Sequence, residues 1–287
     1  MSYIRAQLHH QSKSSMKILS SGEYYGDKRS ELHHDGIMLS KYKYTGIKTD
    51  WHYHENPYFM YVLQGNMKDC NRRATTLCPT GSLMFNNWEE SHYGSKHSTD
   101  AAGFHLEFEK SWLQKHDITF DVLEGSKLIQ QPQVHFLFAK LYRELSLTDT
   151  FSEVTIESLL VQICDYLKTE QVFESNKRPE WVDKLKDLLH SDENTLNLGY
   201  LSQQLDVHPV HISRTASKYL HVSLGEYIRQ CKLKTALPLL LHSPYSLTEI
   251  AYQSGFSDQS HFNRVFKSHF NITPKTYRAR LMIDCQC

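Results

Sequence analysis

Residues 246–267 read SLTEIAYQSGFSDQSHFNRVFK, which is the pattern of a helix, a tight turn and a second helix. Gly255 stands at the turn, where a glycine adopts the left-handed backbone conformation without steric cost. We expect Thr248 to open the first helix and Ser257, a residue type favoured at helix N-caps, to begin the second. The second helix should bury three apolar side chains, Phe262, Val265 and Phe266.

The same pattern occurs about fifty residues earlier, where residues 198–214 read LGYLSQQLDVHPVHISR. Pro209 fits the first turn of the second helix, which tolerates a residue without an amide hydrogen. A long helix over roughly 224–242 should hold the two units at a fixed distance, and Pro238 inside it should kink or shorten it. Two helix-turn-helix units in one chain predict that it reads DNA in the major groove.

The polar faces of the two second helices supply the candidate DNA contacts. Gln259, His261 and Asn263 lie in the N-terminal half of the last helix, the part that meets base edges, so they are the predicted base readers. Positively charged side chains further along are expected to contact phosphates: Lys267, Lys275 and Arg278. The complete predicted set is Val210, His211, Arg214, Lys218, Asp258, Gln259, Ser260, His261, Asn263, Arg264, Lys267, Lys275 and Arg278.

The stretch 198–280 resembles the DNA-binding domain of the AraC/XylS family of transcription regulators. The resemblance rests on the matched residues Ile250-Ala251, Gly255-Phe256, 259–267, Thr273-Pro274 and Tyr277-Arg278. It implies seven helices, with two helix-turn-helix units bridged by a long helix.

Three residues replace glycines that are usual in this family: Asp206, His221 and Asn271. His and Asn tolerate positive φ better than most residues, so His221 and Asn271 should keep the turns that follow each recognition helix. The first unit departs further from the family pattern, with Ala216 at the position that Phe266 holds in the second. We therefore predict that the second unit carries more of the specificity.

Residues 37–109 read as short strands separated by turn residues, which predicts a β-barrel or a two-sheet jelly roll. The run 102–109 alternates with period two. One predicted face carries Phe104, Leu106 and Phe108, and the other carries His105, Glu107 and Glu109.

Gly46, His52-Tyr53-His54 and Gly65, followed by Pro79-Thr80-Gly81 and His92, resemble the two cupin motifs. The resemblance implies a small barrel with His52, His54 and His92 near its mouth. Histidines two residues apart on a strand share a face, and the third could complete a metal site. The glutamate usual in cupin metal sites is missing here, so three interpretations stay open: a metal site, the polar lining of an effector pocket, or plain structure.

The candidate effector-binding residues are Trp51, His52, His54, Tyr58 and His92. Aromatic side chains in this region would suit an apolar pocket equally well as a core: Trp51, Tyr53, Tyr58, Phe85 and Trp88.

Two helical stripes follow the predicted strands, and they could cover the barrel or pair with a second chain. The polar, Pro-ended stretch 174–179 predicts a linker. We therefore expect a cupin-like sensor over 1–130, a helical pair over 131–170, a linker over 171–180 and an all-α DNA-binding domain over 181–287.

Composition narrows the class of protein. Residues 1–180 hold 20 Lys and Arg against 23 Asp and Glu, and residues 181–287 hold 12 against 9, so the C-terminal part is mildly basic, as suits DNA binding. Six scattered cysteines and no apolar leader predict a reduced cytoplasm. The chain lacks a nucleophile motif and a nucleotide loop, so we expect no enzyme.

The expected partners are double-stranded DNA, a small-molecule effector, a second copy of the chain and RNA polymerase, with no membrane and no obligatory cofactor. The alternative is a ligand-independent DNA-binding protein whose barrel binds a partner or a metal.

Overall fold

The computed structural model describes residues 16–88, 90–96, 98–118, 125–146, 152–174, 179–191 and 196–282. Eleven strands lie in that part of the chain: β1 (Lys17–Leu19), β2 (Asp27–His34), β3 (Ile37–Lys43), β4 (His52–His54), β5 (Tyr58–Gln64), β6 (Met67–Asn71), β7 (Thr75–Cys78), β8 (Leu83–Asn86), β9 (His92–Lys96), β10 (Ala102–Phe108) and β11 (Ser126–Leu128).

The described helices are α1 (Lys110–Lys115), α2 (Pro132–Ser146), α3 (Ser152–Glu174), α4 (Glu180–His190), α5 (Leu198–Leu205), α6 (Pro209–Leu220), α7 (Leu224–His242), α8 (Leu247–Gln253), α9 (Gln259–Phe270) and α10 (Pro274–Met282). The N-terminal residues 1–15, the centre of the predicted linker at 175–178, and Cys285 and Cys287 lie outside the described residues. None of the described helices is both long and apolar enough to cross a lipid bilayer.

The strands form two sheets, ordered β1-β4-β9-β6-β7 and β11-β8-β5-β10-β3-β2. Within the described strands, β1 runs parallel to β4 and the other pairs are antiparallel. One cavity is lined by residues of both sheets, so the sheets face each other across the interior of a cupin-like domain. The predicted fold class is confirmed, with the all-β part built as two facing sheets.

Strand β10 follows the predicted alternation but buries both of its faces. Phe104 points towards the helical layer, where its ring centroid lies 5.5 Å from that of Tyr142 on α2. His105 and Glu107 point between the two sheets and are only 1% and 2% exposed. The predicted polar face of β10 therefore lies in the interior of the domain, where it contributes polar side chains to the space between the two sheets.

Helices α2 and α3 cover the outer face of the second sheet. Their predicted stripes are buried within the same chain: Val134, Phe138, Leu141, Leu145, Ile156, Leu160, Ile163 and Leu167. The stripes were predicted either to cover the barrel or to pair with a second chain. The structure shows that they cover the sheet.

Two apolar cores divide the C-terminal helices. The first helix-turn-helix unit, α5 and α6, shares a separate core with α4 and the start of α7. The second unit, α8 and α9, lies in one continuous core with α2, α3 and the sheet. The Gln133 amide donates to Gln230 at 2.7 Å, and the rings of Phe136 and Phe270 lie 5.6 Å apart. The predicted domain boundaries stay a prediction, and the apolar core continues across them.

The turns that follow the recognition helices have the predicted left-handed geometry. His221 and Asn271 each have a φ of 59°, and Gly255 has a φ of 78°. Asp206, which replaces a glycine in the first unit, also adopts the left-handed conformation, with a φ of 53°. Polar side chains that tolerate positive φ (Asp, His and Asn) therefore serve where the family usually places glycine.

The helix starts differ from the prediction. Ser246 caps α8 in a capping box with Glu249, so that helix begins at Leu247 instead of Thr248. Asp258 caps α9 by accepting the His261 amide at 2.7 Å, whereas we expected Ser257 to do so. A carboxylate is the stronger acceptor at the positive end of a helix, and the Ser257 hydroxyl donates to it.

Pro238 does not shorten its helix, so one of its two predicted effects is wrong. Helix α7 runs without interruption from Leu224 to His242. The Pro238 ring lies against Gly81 of the sheet domain, where an added Cβ would approach Pro238 Cγ to 2.8 Å. The proline thus packs at the contact between helix α7 and the sheet domain.

Candidate functional site

Three buried histidines meet at one end of the first sheet. His52 and His54 share a face of β4, because side chains alternate along a strand. His92 begins β9 and is the register partner of His52. Ligand nitrogens of all three residues lie within 4.8 Å of one another. The structure therefore brings the predicted triad together.

Hydrogen bonds to backbone carbonyls set the proton positions on two of these rings. Nδ1 of His52 lies 2.8 Å from the Asp50 carbonyl, and Nδ1 of His92 lies 3.2 Å from the Glu90 carbonyl. Since a carbonyl only accepts, each Nδ1 carries the proton and each Nε2 keeps its lone pair. The Tyr58 hydroxyl lies 3.1 Å from Nε2 of His92 and donates to it.

Burial keeps the triad neutral. It lowers the pKa of His52 to about 4, with a further contribution from His92, and lowers the pKa of His54 and His92 as well. Neutral imidazole is the form that ligates divalent transition metals, and Nδ1 of His54 is buried without a partner among the described residues. The donor set therefore fits such a metal, provided that the metal replaces the Tyr58 hydroxyl at Nε2 of His92.

A cavity of about 210 Å³ lies beside the triad, between the two sheets. Four of the five predicted effector residues line it: His52, His54, Tyr58 and His92. Trp51 does not. It is 40% exposed and packs against Tyr93, with 5.0 Å between ring centroids. Strand alternation explains this, because the residue before His52 points the other way.

The segment before β2 closes one side of this cavity, and sequence reasoning missed it. The Tyr24 ring stacks on His105 at 3.8 Å, and the Tyr25 ring lies 4.9 Å from that of His52. Glu107 holds the segment by accepting hydrogen bonds from the Gly22 amide at 3.0 Å and the Tyr24 hydroxyl at 2.9 Å. The adjacent tyrosines were the available signal, but the partners of Tyr24, His105 and Glu107, lie about eighty residues away.

Asp69 is a second feature that the pattern did not reveal. It sits on β6 with its side chain 6% exposed and lines the cavity. Burial, and then the charge of Glu90, raise the pKa of this carboxyl to about 7. Its Oδ1 is buried and accepts no hydrogen bond from the described residues.

Helix α6 of the first unit presents an open polar face. It buries Ile212, Ala216 and Leu220 against the first core. The four predicted contacts on this helix are all exposed: Val210, His211, Arg214 and Lys218. This face is accessible for groove contacts along its length.

Helix α9 of the second unit is partly engaged within its own unit. The Thr248 hydroxyl donates to Gln259 at 2.6 Å, and the His261 ring lies edge-on to Phe256 at 5.4 Å. Asn263 is half-buried, and its Oδ1 has no partner among the described residues. The other predicted side chains of this unit are exposed: Asp258, Ser260, Arg264 and Lys267.

Arg278, a predicted phosphate contact, already has two backbone partners. Its guanidinium donates to the Leu240 carbonyl at 2.9 Å and to the Tyr245 carbonyl at 2.8 Å. Leu240 lies in the last turn of α7, where carbonyls have no partner within the helix, so the arginine satisfies them and ties α10 to α7. Lys275 is exposed on α10.

Known families match both halves of the chain. A family model described as an AraC-like ligand binding domain matches residues 36–164, and one described as a helix-turn-helix domain matches residues 201–280. The first match covers β3 to β11, α1, α2 and about half of α3, and the second covers both helix-turn-helix units except the first three residues of α5. The N-terminal part therefore carries an AraC-like ligand binding domain, and the C-terminal part carries a helix-turn-helix domain.

Individual relatives are more distant. An uncharacterized HTH-type transcriptional regulator of Staphylococcus aureus is 22% identical over 232 residues, which cover 76% of this chain and 31% of that protein. The chain thus spans about a third of the length of such relatives. The probable transcription factor PqrA of Proteus vulgaris is 38% identical over 78 residues, 27% of this chain and 64% of that protein.

Among solved structures, an apo form of ToxT from Vibrio cholerae is similar over 86% of this chain and 98% of its own, with 16% identity and a TM-score of 0.39.

Proposed function

We propose that this protein is a sequence-specific DNA-binding regulator of transcription whose N-terminal cavity binds a small-molecule effector. The observation that carries the proposal is the pair of exposed polar helix faces, on α6 and α9, joined in one chain to a cavity with convergent polar groups. In this function the histidines serve recognition and not catalysis. Since the proposed partner is genomic DNA, the cytoplasm is the proposed compartment, with RNA polymerase as a further partner.

The mechanism that these contacts support is a shift between placements of the DNA-binding units. Helix α2 packs on the sheet on one side and on α7 and α9 on the other. Lys234 of α7 also donates to the Gln130 side chain at 2.8 Å, just before α2. An effector that changes the packing of the sheet would act on α2, and through it on the second unit.

Selection of genomic fragments by the full-length protein at physiological salt tests the proposal. We expect a small set of fragments to be enriched over random duplex, and Arg264→Ala to weaken binding to them. Lys43→Ala removes an exposed positive charge from the sheet domain and should leave binding unchanged. Equal affinity for enriched fragments and random duplex would refute sequence-specific regulation.

A metal-responsive regulator is the second candidate, favoured by the histidine triad. His52, His54 and His92 would hold a divalent transition metal, which supplies a Lewis-acid position for the effector. Metal analysis of the purified protein should then give about one equivalent, lost in His54→Ala and retained in His33→Ala, an exposed histidine on β2. Absence of metal, together with no uptake of added Zn²⁺ or Co²⁺, would leave the organic effector as the sole ligand.

We also propose that the protein forms a homodimer through the outer face of α3. That face exposes Val154 and Val161, while the opposite stripe is buried on the sheet. Sedimentation should give a dimer that Val161→Glu dissociates. A monomer at high concentration, with and without DNA, would contradict this.

The ligand-independent alternative differs in one measurement. Because the second unit shares the sensor core, the test uses the full chain. An effector should raise its melting temperature, whereas a barrel that only binds a partner protein should show no such shift with small molecules.

A further inference from the structure

Two buried carboxylates face the interior of the sheet domain, and only one of them is satisfied. Glu107 accepts hydrogen bonds from the Gly22 amide, the Tyr24 hydroxyl and the Asn56 amide, all at 2.9–3.0 Å. Asp69 is buried to a similar degree but accepts none from the described residues, and no described Lys or Arg forms an ion pair with it. A buried carboxylate without a partner is costly, so this one needs either a proton or a ligand.

The lysines at the cavity mouth are engaged elsewhere. The Lys48 ammonium lies over the Tyr93 ring, 4.1 Å from its centroid, and the Lys96 ammonium donates to the Tyr44 carbonyl at 2.6 Å. Lys68 also borders the cavity, but it precedes Asp69 on β6, so strand alternation directs its side chain to the opposite face of the strand. Among the described residues, therefore, no lysine or arginine pairs with the carboxylate inside the cavity.

Aromatic rings form the rest of the wall. Tyr24, Tyr44 and Tyr58 all line the cavity, as do the neutral histidines. The faces of tyrosine rings attract cations, and a desolvated carboxylate strengthens that attraction. An anionic ligand would meet the Asp69 carboxylate with no compensating positive charge inside the cavity.

We propose that the effector is a small organic ammonium ion, with its charged group at Asp69 and its carbon skeleton against the tyrosines. This inference rests on the proposed effector pocket and names the chemical class that it accepts. The ammonium donates a hydrogen bond to Asp69 Oδ1, which has no donor among the described residues, and the small volume of the cavity limits the ligand to a short skeleton.

Three probes of one carbon skeleton test the proposal: isobutylammonium, isobutanol and isobutyrate. Each is titrated calorimetrically at millimolar concentration into full-length protein freed of metal by chelation. We expect the ammonium to bind at least about ten-fold more tightly than the alcohol, and isobutyrate not to bind. Asp69→Asn should abolish that preference, whereas Asp27→Asn, which changes an exposed carboxylate on β2, should keep it.

Asp69→Asn should fold, because it removes an unpaired buried charge, and its melting temperature checks this. Equal binding of the three probes, preference for isobutyrate, binding of none of them, or an unchanged preference in Asp69→Asn would each overturn the proposal. DNA binding is measured separately. If the protein selects DNA but binds none of the three probes, the regulatory proposal stands and this one is refuted. If it prefers the ammonium probe but selects no DNA, the ammonium site stands and the regulatory proposal is refuted.

Discussion

The two helix-turn-helix units have similar local structure but pack in different apolar cores. The first unit closes on its own core with α4, whereas the second is built into the core of the sensor through α2 and α7. Its recognition helix has Phe270 against Phe136 of the sensor, while α6 has no such contact among the described cores. Similar sequence repeats can therefore differ in what they pack against.

The largest expected difference between the two cores is in their stability towards acid. Burial lowers the pKa of His52 to about 4 and that of His105 to about 3, and also lowers the pKa of His54, His92 and His135. A depressed histidine pKa stabilises the fold above the unfolded value of roughly 6.5, and that stability is lost as pH falls towards the folded value. Summed over these five histidines, the free energy of unfolding lost on acidification is on the order of several kcal/mol.

The first core has one such group, His190, whose pKa burial lowers to about 4. Hydrogen exchange at pH 5, 6 and 7 should thus show β10 losing protection before α6 does. Loss of protection at the same pH in β10 and α6 would mean that the two cores unfold as one cooperative unit.

Truncation of Phe266 should destabilise the sensor as well as the second unit. Its ring is fully buried and stacks on Phe270 at 4.6 Å. Phe266→Ala should cost about 3–5 kcal/mol in the free energy of unfolding. Leu220→Ala makes a cavity in the first core instead, so its effect on the exchange of β10 should be small. A larger effect of Leu220→Ala on β10 would reverse the comparison.

The contact between Gly81 and Pro238 should contribute a smaller amount to the attachment of α7. Gly81 has a φ of 88°, and an added Cβ would meet the Pro238 ring. We expect Gly81→Ala to cost about 1–3 kcal/mol and to raise amide exchange in the C-terminal half of α7. Gly125→Ala is the matched control, because its φ of 69° gives a similar backbone penalty with only a Glu90 side chain nearby. Equal exchange in α7 for both variants would remove the packing contribution.

Base reading should give the smallest difference between the units. On the sequence prediction, His261→Ala should weaken binding to a selected site by about 1–3 kcal/mol at fixed salt, and His211→Ala by less. The open face of α6 makes this a demanding test, since His211 is exposed while His261 packs on Phe256. A larger loss at His211 would assign the specificity to the first unit.

Local features could be predicted from the sequence because their causes lie within a few residues. The left-handed turns at His221 and Asn271 follow from side chains that tolerate positive φ. The shared face of His52 and His54 follows from strand alternation. The cap at Asp258 was missed by one residue, because two adjacent N-cap residue types competed and the stronger acceptor prevailed.

The sequence by itself determined the two helix-turn-helix repeats and the histidine triad. The tertiary structure alone decided that Asp69 faces a cavity, that Glu107 holds Tyr24, and that Arg278 satisfies the end of α7. The physical reason is sequence distance. Periodicity and capping act between neighbouring residues, whereas burial without a partner depends on which strands and helices the fold brings together.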